Sequence, residues 1–72
     1  MTDIQVECYA GYRGDEEPRV LVRDGHRLPV LVILRRWRDT NGRGFRVRCV
    51  DGCEYEIFYD EAAGSWFELG RA

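Results

Sequence analysis

Lysine is absent from this chain of 72 residues; all eleven basic side chains are arginine, a bias that reads as genome codon composition rather than as a binding signature. Proline occurs twice, cysteine three times and histidine once. No long hydrophobic run exists. The longest, from Leu28 to Leu34, is interrupted by Pro29 and is far too short to span a bilayer, so no membrane association is expected. Met1-Thr2-Asp3 supplies no basic leader and no apolar segment follows it, which predicts a cytoplasmic protein. An odd cysteine count argues against a secreted disulfide scaffold and suits a reducing compartment. Helical periodicity is also missing, since no stretch is long enough to sustain a main helix.

What the chain does contain is alternation. Phe45-Arg46-Val47-Arg48-Cys49 and Cys53-Glu54-Tyr55-Glu56-Ile57 each place apolar residues on one face and charges on the other, and Asp51-Gly52 lies between them. A two-residue loop would set Cys49 against Glu54 and Val47 against Glu56. A three-residue loop, Val50-Asp51-Gly52, instead pairs Phe45 with Ile57, Val47 with Tyr55 and Cys49 with Cys53, while Arg46 meets Glu56 and Arg48 meets Glu54. Both faces favour the second register, and it puts Gly52 at the left-handed position that closes such loops.

Other strands surround this hairpin. Ile4 to Ala10 alternates; Gly11 to Pro18, with two glycines, three consecutive acids and a proline, reads as a loop. Arg19 to Arg23 forms a second strand. By the same turn logic, a loop Arg23-Asp24-Gly25 pairs Val22 with His26 and Val20 with Leu28, and Val30, Val32 and Leu34 continue that face. Pro29 to Arg38 is the longest strand, apolar on both sides at first, which implies a strongly bent sheet. Asp39 to Gly44 turns the chain and brings Trp37 opposite Phe45 and Arg36 beside Arg46, with Glu56 relieving the like charges. Glu61 to Gly64 is a helical turn or plain loop, and Ser65 to Leu69 a last strand. The predicted class is all-β: one domain over residues 1–72, a small strongly curved antiparallel sheet or partly open barrel of SH3-like size with five or six strands.

Catalytic chemistry has little to build on. There is no phosphate loop or nucleophile elbow, and His26 directly follows a turn glycine, so no enzyme activity and no cofactor are expected. Zinc requires about four ligands, usually in paired knuckles, and only Cys49 and Cys53 are close in sequence; buried apolar roles for Cys8, Cys49 and Cys53 are favoured over a redox or zinc-handling pair at Cys49/Cys53, and no metal site is assigned.

Charge is unevenly distributed. Residues 35–48 hold six arginines against Asp39 alone. Arg35, Arg36, Arg38 and Arg43 with Trp37 form the candidate nucleic-acid face, where guanidinium groups meet phosphate and an aromatic stacks on a base. Arg46 and Arg48 are neutralised by their glutamate partners, and Trp37 opposite Phe45 suits the core, which weakens that candidate. Tyr12, Arg13, Asp15, Glu16 and Glu17 form the candidate protein-binding loop. Asp15-Glu16-Glu17 lacks the alternating ligand spacing of a calcium loop.

The pattern Glu7-x-Tyr9-x-Gly11-Tyr12-x-Gly14-x-Glu16-x-Pro18, followed by Trp37-Arg38, Phe45-Arg46-Val47, Asp51-Gly52, Tyr59-Asp60 and Trp66, resembles a family of short uncharacterised bacterial proteins. From about Val30 to Leu69 it also resembles the small C-terminal β domain of proteins similar to Y-family translesion DNA polymerases. The resemblance implies an accessory module associated with DNA repair and carries no catalytic residues. The expected function is therefore a non-enzymatic interaction module that binds an unknown protein partner, as a monomer or weak homodimer. Single-stranded nucleic-acid binding through the arginine face is one alternative, and a redox or zinc-handling site at Cys49/Cys53 is the other.

Overall fold

A computed structural model describes residues 2–10 and 16–71, with side chains for 3–8 and 17–70. Six antiparallel strands follow one another: β1 (Thr2–Ala10), β2 (Glu16–Arg23), β3 (His26–Arg38), β4 (Gly42–Cys49), β5 (Glu54–Asp60) and β6 (Ser65–Arg71). Each pairs with its sequence neighbour, and β1 returns to β6 through Thr2–Glu68, Asp3–Phe67 and Ile4–Trp66, closing a barrel. The β1–β6 pairs cover the edges that the first and last strands of an open sheet would expose.

The β4–β5 hairpin has the register its two faces demand: Phe45 pairs with Ile57, Arg46 with Glu56, Val47 with Tyr55 and Arg48 with Glu54. The Cys49 N–H donates to the Cys53 carbonyl at 3.0 Å, and Gly52, at φ +83°, donates to the Cys49 carbonyl. Inside, Ile4, Leu21, Phe45, Val47, Cys49, Tyr55, Ile57 and Trp66 form the buried core. Trp66 packs between Phe45 and Tyr59, with ring centroids 5.8 and 5.2 Å away. Each large aliphatic or aromatic chain sealed here contributes about 1.5–3 kcal/mol. Outside, Arg46 donates to Glu54 at 2.9 Å and Glu56 at 3.0 Å, and Arg48 to Glu54 at 2.7 Å.

Three expectations are corrected. The β2–β3 turn has two residues, not three: Arg23 pairs with His26, Val22 with Arg27, Leu21 with Leu28 and Val20 with Pro29. Asp24 at φ +49° and Gly25 at φ +78° form the left-handed pair whose twist matches the flanking strands. Leu21, rather than Val20 and Val22, therefore enters the core. The same face also carries Arg23 inward, where its guanidinium meets Glu68 of β6 at 3.2 Å and lies 5.4 Å from the centre of the Tyr55 ring. Those partners are remote in sequence, so the local pattern disfavoured the correct register.

The second correction concerns β3 and β4. Trp37 pairs with Gly44, Arg36 with Phe45 and Arg35 with Arg46. Asp39 sets this register by folding the loop beneath it, its Oδ1 accepting the N–H groups of Asn41 and Gly42 at 2.8 and 3.1 Å. Trp37 is consequently on the outer wall with Arg35 and Arg46, and not in the core. The like charges fall on Arg35 and Arg46, and Arg46 is indeed answered by Glu56, with Glu54 joining it. Two bulges, at Leu31 and Leu34, bend β3 and break its alternation. Val30 and Ile33 pack on the core, while Leu31, Val32 and Leu34 are exposed. The outer face of β3 is thus uncovered, contrary to the expectation of burial on both sides.

Third, Glu16, Glu17 and Pro18 belong to β2 rather than to a loop, opposite Ala10, Tyr9 and Cys8. Pro18 is tolerated because, among the described residues, this half of β2 pairs on one side only. Residues 61–64 form a turn between β5 and β6, with the Ala63 and Gly64 N–H groups donating to the Asp60 side chain and carbonyl.

A candidate interaction groove

The seam between β2 and β3 closes only partway. Its ladder ends at Val20–Pro29, where Pro29 has no N–H to give. Beyond that point, among the described residues, 16–18 pair only with β1 and 30–38 only with β4, so the two strands part and their facing edges border a groove. Glu17, Pro18 and Arg19 form one bank, Val30 to Ile33 and Arg36 the other, around a hollow of about 330 Å³. It continues past Arg36 into a second hollow of about 280 Å³ at the barrel end, where Trp37, Arg38, Arg43, Gly44 and Phe45 converge.

Arg36 and Glu17 face each other across this groove and form an ion pair from β3 to β2. The two clusters that the sequence suggested separately, the arginine stripe and the acidic segment, therefore meet at one place. Arg38 donates to Glu61 at 3.4 Å, and Arg43 lies 5.2 Å from the centre of the Tyr59 ring. Arg35 is on the opposite side of β3, its guanidinium 5.1 Å from the centre of the Trp37 ring. The five residues of the nucleic-acid face are thus divided: Arg36, Arg38 and Arg43 surround the groove and barrel end, Arg35 is on the outer wall, and Trp37 on that wall both borders the barrel-end hollow and carries the Arg35 guanidinium on its ring. Tyr12, Arg13 and Asp15 lie outside the described residues, as does the side chain of Glu16.

Apolar surface accompanies the groove. Leu31 is 64 % exposed, Val32 42 % and Leu34 41 %, all on the bulged half of β3. Sequence alternation did not reveal the open edge because Leu28–Leu34 resembles a buried run. The useful signal was the two prolines: Pro18 and Pro29 lie on adjacent strands where pairing fails, and prolines are confined to edges in sheets.

The opposite end of the barrel is sealed by polar contacts. Tyr55 donates its phenol to Asp51, which also accepts the Cys53 N–H at 3.0 Å, and these bonds hold the Asp51 carboxyl below its ordinary range. Burial, with the Asp51 charge nearby, pushes the Tyr55 phenol up to about 12 and the Cys49 thiol up to about 11. A thiol held protonated at neutral pH is a poor nucleophile and a poor metal ligand. His26 is exposed beside its turn. Among the described residues no group of three or more His, Cys, Asp or Glu side chains is placed to hold a metal.

No family model, curated protein or solved structure matches the chain.

Proposed function

We propose that this protein is a non-enzymatic interaction module that takes an extended segment of a partner protein onto the open edge of β3. The observation that carries this is the early end of the β2–β3 ladder at Val20–Pro29, which among the described residues leaves the last nine residues of β3 paired on one side only. An unpaired strand presents a row of N–H and C=O groups at the spacing another strand requires, and exposed apolar side chains beside it add affinity. Leu31, Val32 and Leu34 supply those side chains.

The direct test is amide hydrogen exchange on the complex with a partner captured from the native organism. Protection gained at residues 31–37, with capture lost in a Leu31→Arg/Leu34→Arg variant, is the expected result. Both leucines are solvent-facing, so that variant retains the fold. Protection confined to β4–β5 overturns the proposal.

A second use of the molecule is favoured by one contact, the Arg35 guanidinium on the Trp37 ring, which offers a cationic aromatic surface on the outer wall. Single-stranded nucleic acid is the matching ligand. Oligonucleotide affinity that falls steeply with salt and drops in Arg35→Ala supports it; no binding at low salt excludes it.

A further inference from the structure

A row of aromatic side chains crosses the outer wall in register. Trp37 of β3 pairs with Gly44 of β4, Gly44 with Phe58 of β5, and Phe58 with Phe67 of β6. Tyr55, Ile57 and Tyr59 pack inward, so Phe58 points out, and Phe67 likewise follows the buried Trp66. All three outer rings are half-buried, and none belongs to the core. Glycine keeps the floor between them flat. A β-carbon on Gly44 would meet the Trp37 indole at 2.2 Å and one on Gly42 the Phe58 ring at 3.2 Å, so both rings lean over β4.

The charges beside the row differ in what they leave open. Arg46 and Arg48 are taken up by Glu54 and Glu56, and those carboxylates by them. Arg35 is exposed, holds its guanidinium against Trp37, and is answered by no carboxylate among the described residues. At the far end Phe67 pairs with the exposed Asp3. We infer that Trp37, Phe58 and Phe67 form a stacking row for the bases of single-stranded nucleic acid, with one phosphate on Arg35 and the bound strand running across the barrel strands toward β6. This deepens, and rests on, the reading of the Arg35–Trp37 contact given above. Neighbouring strands lie about 4.8 Å apart, so the row spans roughly 14 Å and takes about two or three splayed bases. Affinity comes mainly from stacking, which any base supplies because every base has a π-face. A duplex keeps its bases stacked on one another and offers the row nothing. Asp3 repels a phosphate beyond the third ring and so limits the footprint.

The experiment uses the full chain at low salt and a labelled thymidine strand of about eight nucleotides, its duplex, and an abasic strand of the same length. Binding is read from the label and from the tryptophan fluorescence of the protein. Trp66 is buried, so quenching reports Trp37. The thymidine strand is expected to bind and quench, and the duplex and the abasic strand to bind about tenfold more weakly or worse. Phe58→Leu and Phe67→Leu keep apolar bulk on the outer wall, leave the core untouched and remove a π-face. Each is expected to weaken the thymidine strand about fivefold.

Thymidine-strand binding that is lost in Arg35→Ala but unmoved by both phenylalanine variants overturns the row and leaves the Arg35–Trp37 reading standing. Equal binding by the abasic strand or the duplex means that phosphate alone is recognised, and it likewise overturns the row. Absence of binding by every strand overturns both. Should a neutral glucose oligomer quench Trp37 where the thymidine strand does not, the same rings serve a sugar chain and both nucleic-acid readings fall.

Discussion

Trp37 lies against the α-carbon of Gly44, its cross-strand partner, so closely that a β-carbon on residue 44 would come within 2.2 Å of the indole. Glycine is thus what lets the ring settle on the outer wall, with the Arg35 guanidinium 5.1 Å from its centre. Gly44→Ala forces the ring away. The expected cost is about 1–3 kcal/mol, the range for overpacking a filled site. A urea titration checks this: the midpoint falls while the slope is unchanged. The variant is also expected to weaken any oligonucleotide binding that depends on the Arg35–Trp37 surface. An unchanged midpoint would show that the ring moves freely and that the contact does not hold it.

Ile57 and Leu31 are both large aliphatic residues, yet they occupy opposite environments. Ile57 is fully buried opposite Phe45, whereas Leu31 is 64 % exposed at a bulge. Ile57→Ala removes core atoms and leaves a cavity, at a cost of about 2–5 kcal/mol. For a domain this small that is enough to unfold much of the population at room temperature. Leu31→Ala is expected to change stability by less than about 0.5 kcal/mol. Circular dichroism melts of the two variants separate them, and comparable losses would mean that Leu31 is covered in solution.

The sequence made local pairing legible where both faces of a hairpin agreed. Phe45/Ile57 and Arg46/Glu56 each favour the same loop length, so the β4–β5 register followed from adjacent residues. It failed at the β2–β3 turn, because Arg23 is inward and its partners, Glu68 and Tyr55, belong to distant strands. Strict alternation also fails on β3, where bulges at Leu31 and Leu34 each shift the phase. The groove was the least visible feature. It is defined by pairs that do not form between β2 and β3, and no residue pattern encodes a missing pair except the prolines at its border.

Glu54 accepts from both Arg48 and Arg46, and those bonds hold its carboxyl below the ordinary value of 4.5. Glu7 is lowered in the same way by Arg27. A carboxylate depressed in the folded state contributes stability above its unfolded pKa and loses that contribution as pH falls through the folded value. Wild-type stability is therefore expected to decline below about pH 4.5. Glu54→Gln starts from a lower plateau at neutral pH and declines less steeply in the acid range. Denaturant midpoints measured from neutral pH into acid test this, and parallel profiles would show that the pairs on the outer wall contribute nothing measurable.

The alkaline side is governed by Tyr55 and Cys49. Burial raises both, and the Asp51 carboxylate adds to each: the phenol moves from 10.0 to about 12 and the thiol from 9.0 to about 11. Arg23 opposes the shift at Tyr55, and Cys53 reinforces the shift at both. In the unfolded chain these groups ionise at their ordinary values, so raising the pH stabilises the unfolded state first. The stability they protect is complete below about pH 9 and is lost as pH climbs through 11 and 12. Tyr55→Phe should flatten the decline above pH 10 and, by deleting the hydrogen bond to Asp51, lower stability at neutral pH by about 1 kcal/mol. The thiols give an independent readout. Cys49 is buried while Cys8 and Cys53 are partly accessible, so a thiol reagent at neutral pH should label Cys49 last. Early labelling of Cys49, or the same alkaline slope with and without the Tyr55 phenol, would mean that this end of the barrel opens to water far more readily than its packing indicates.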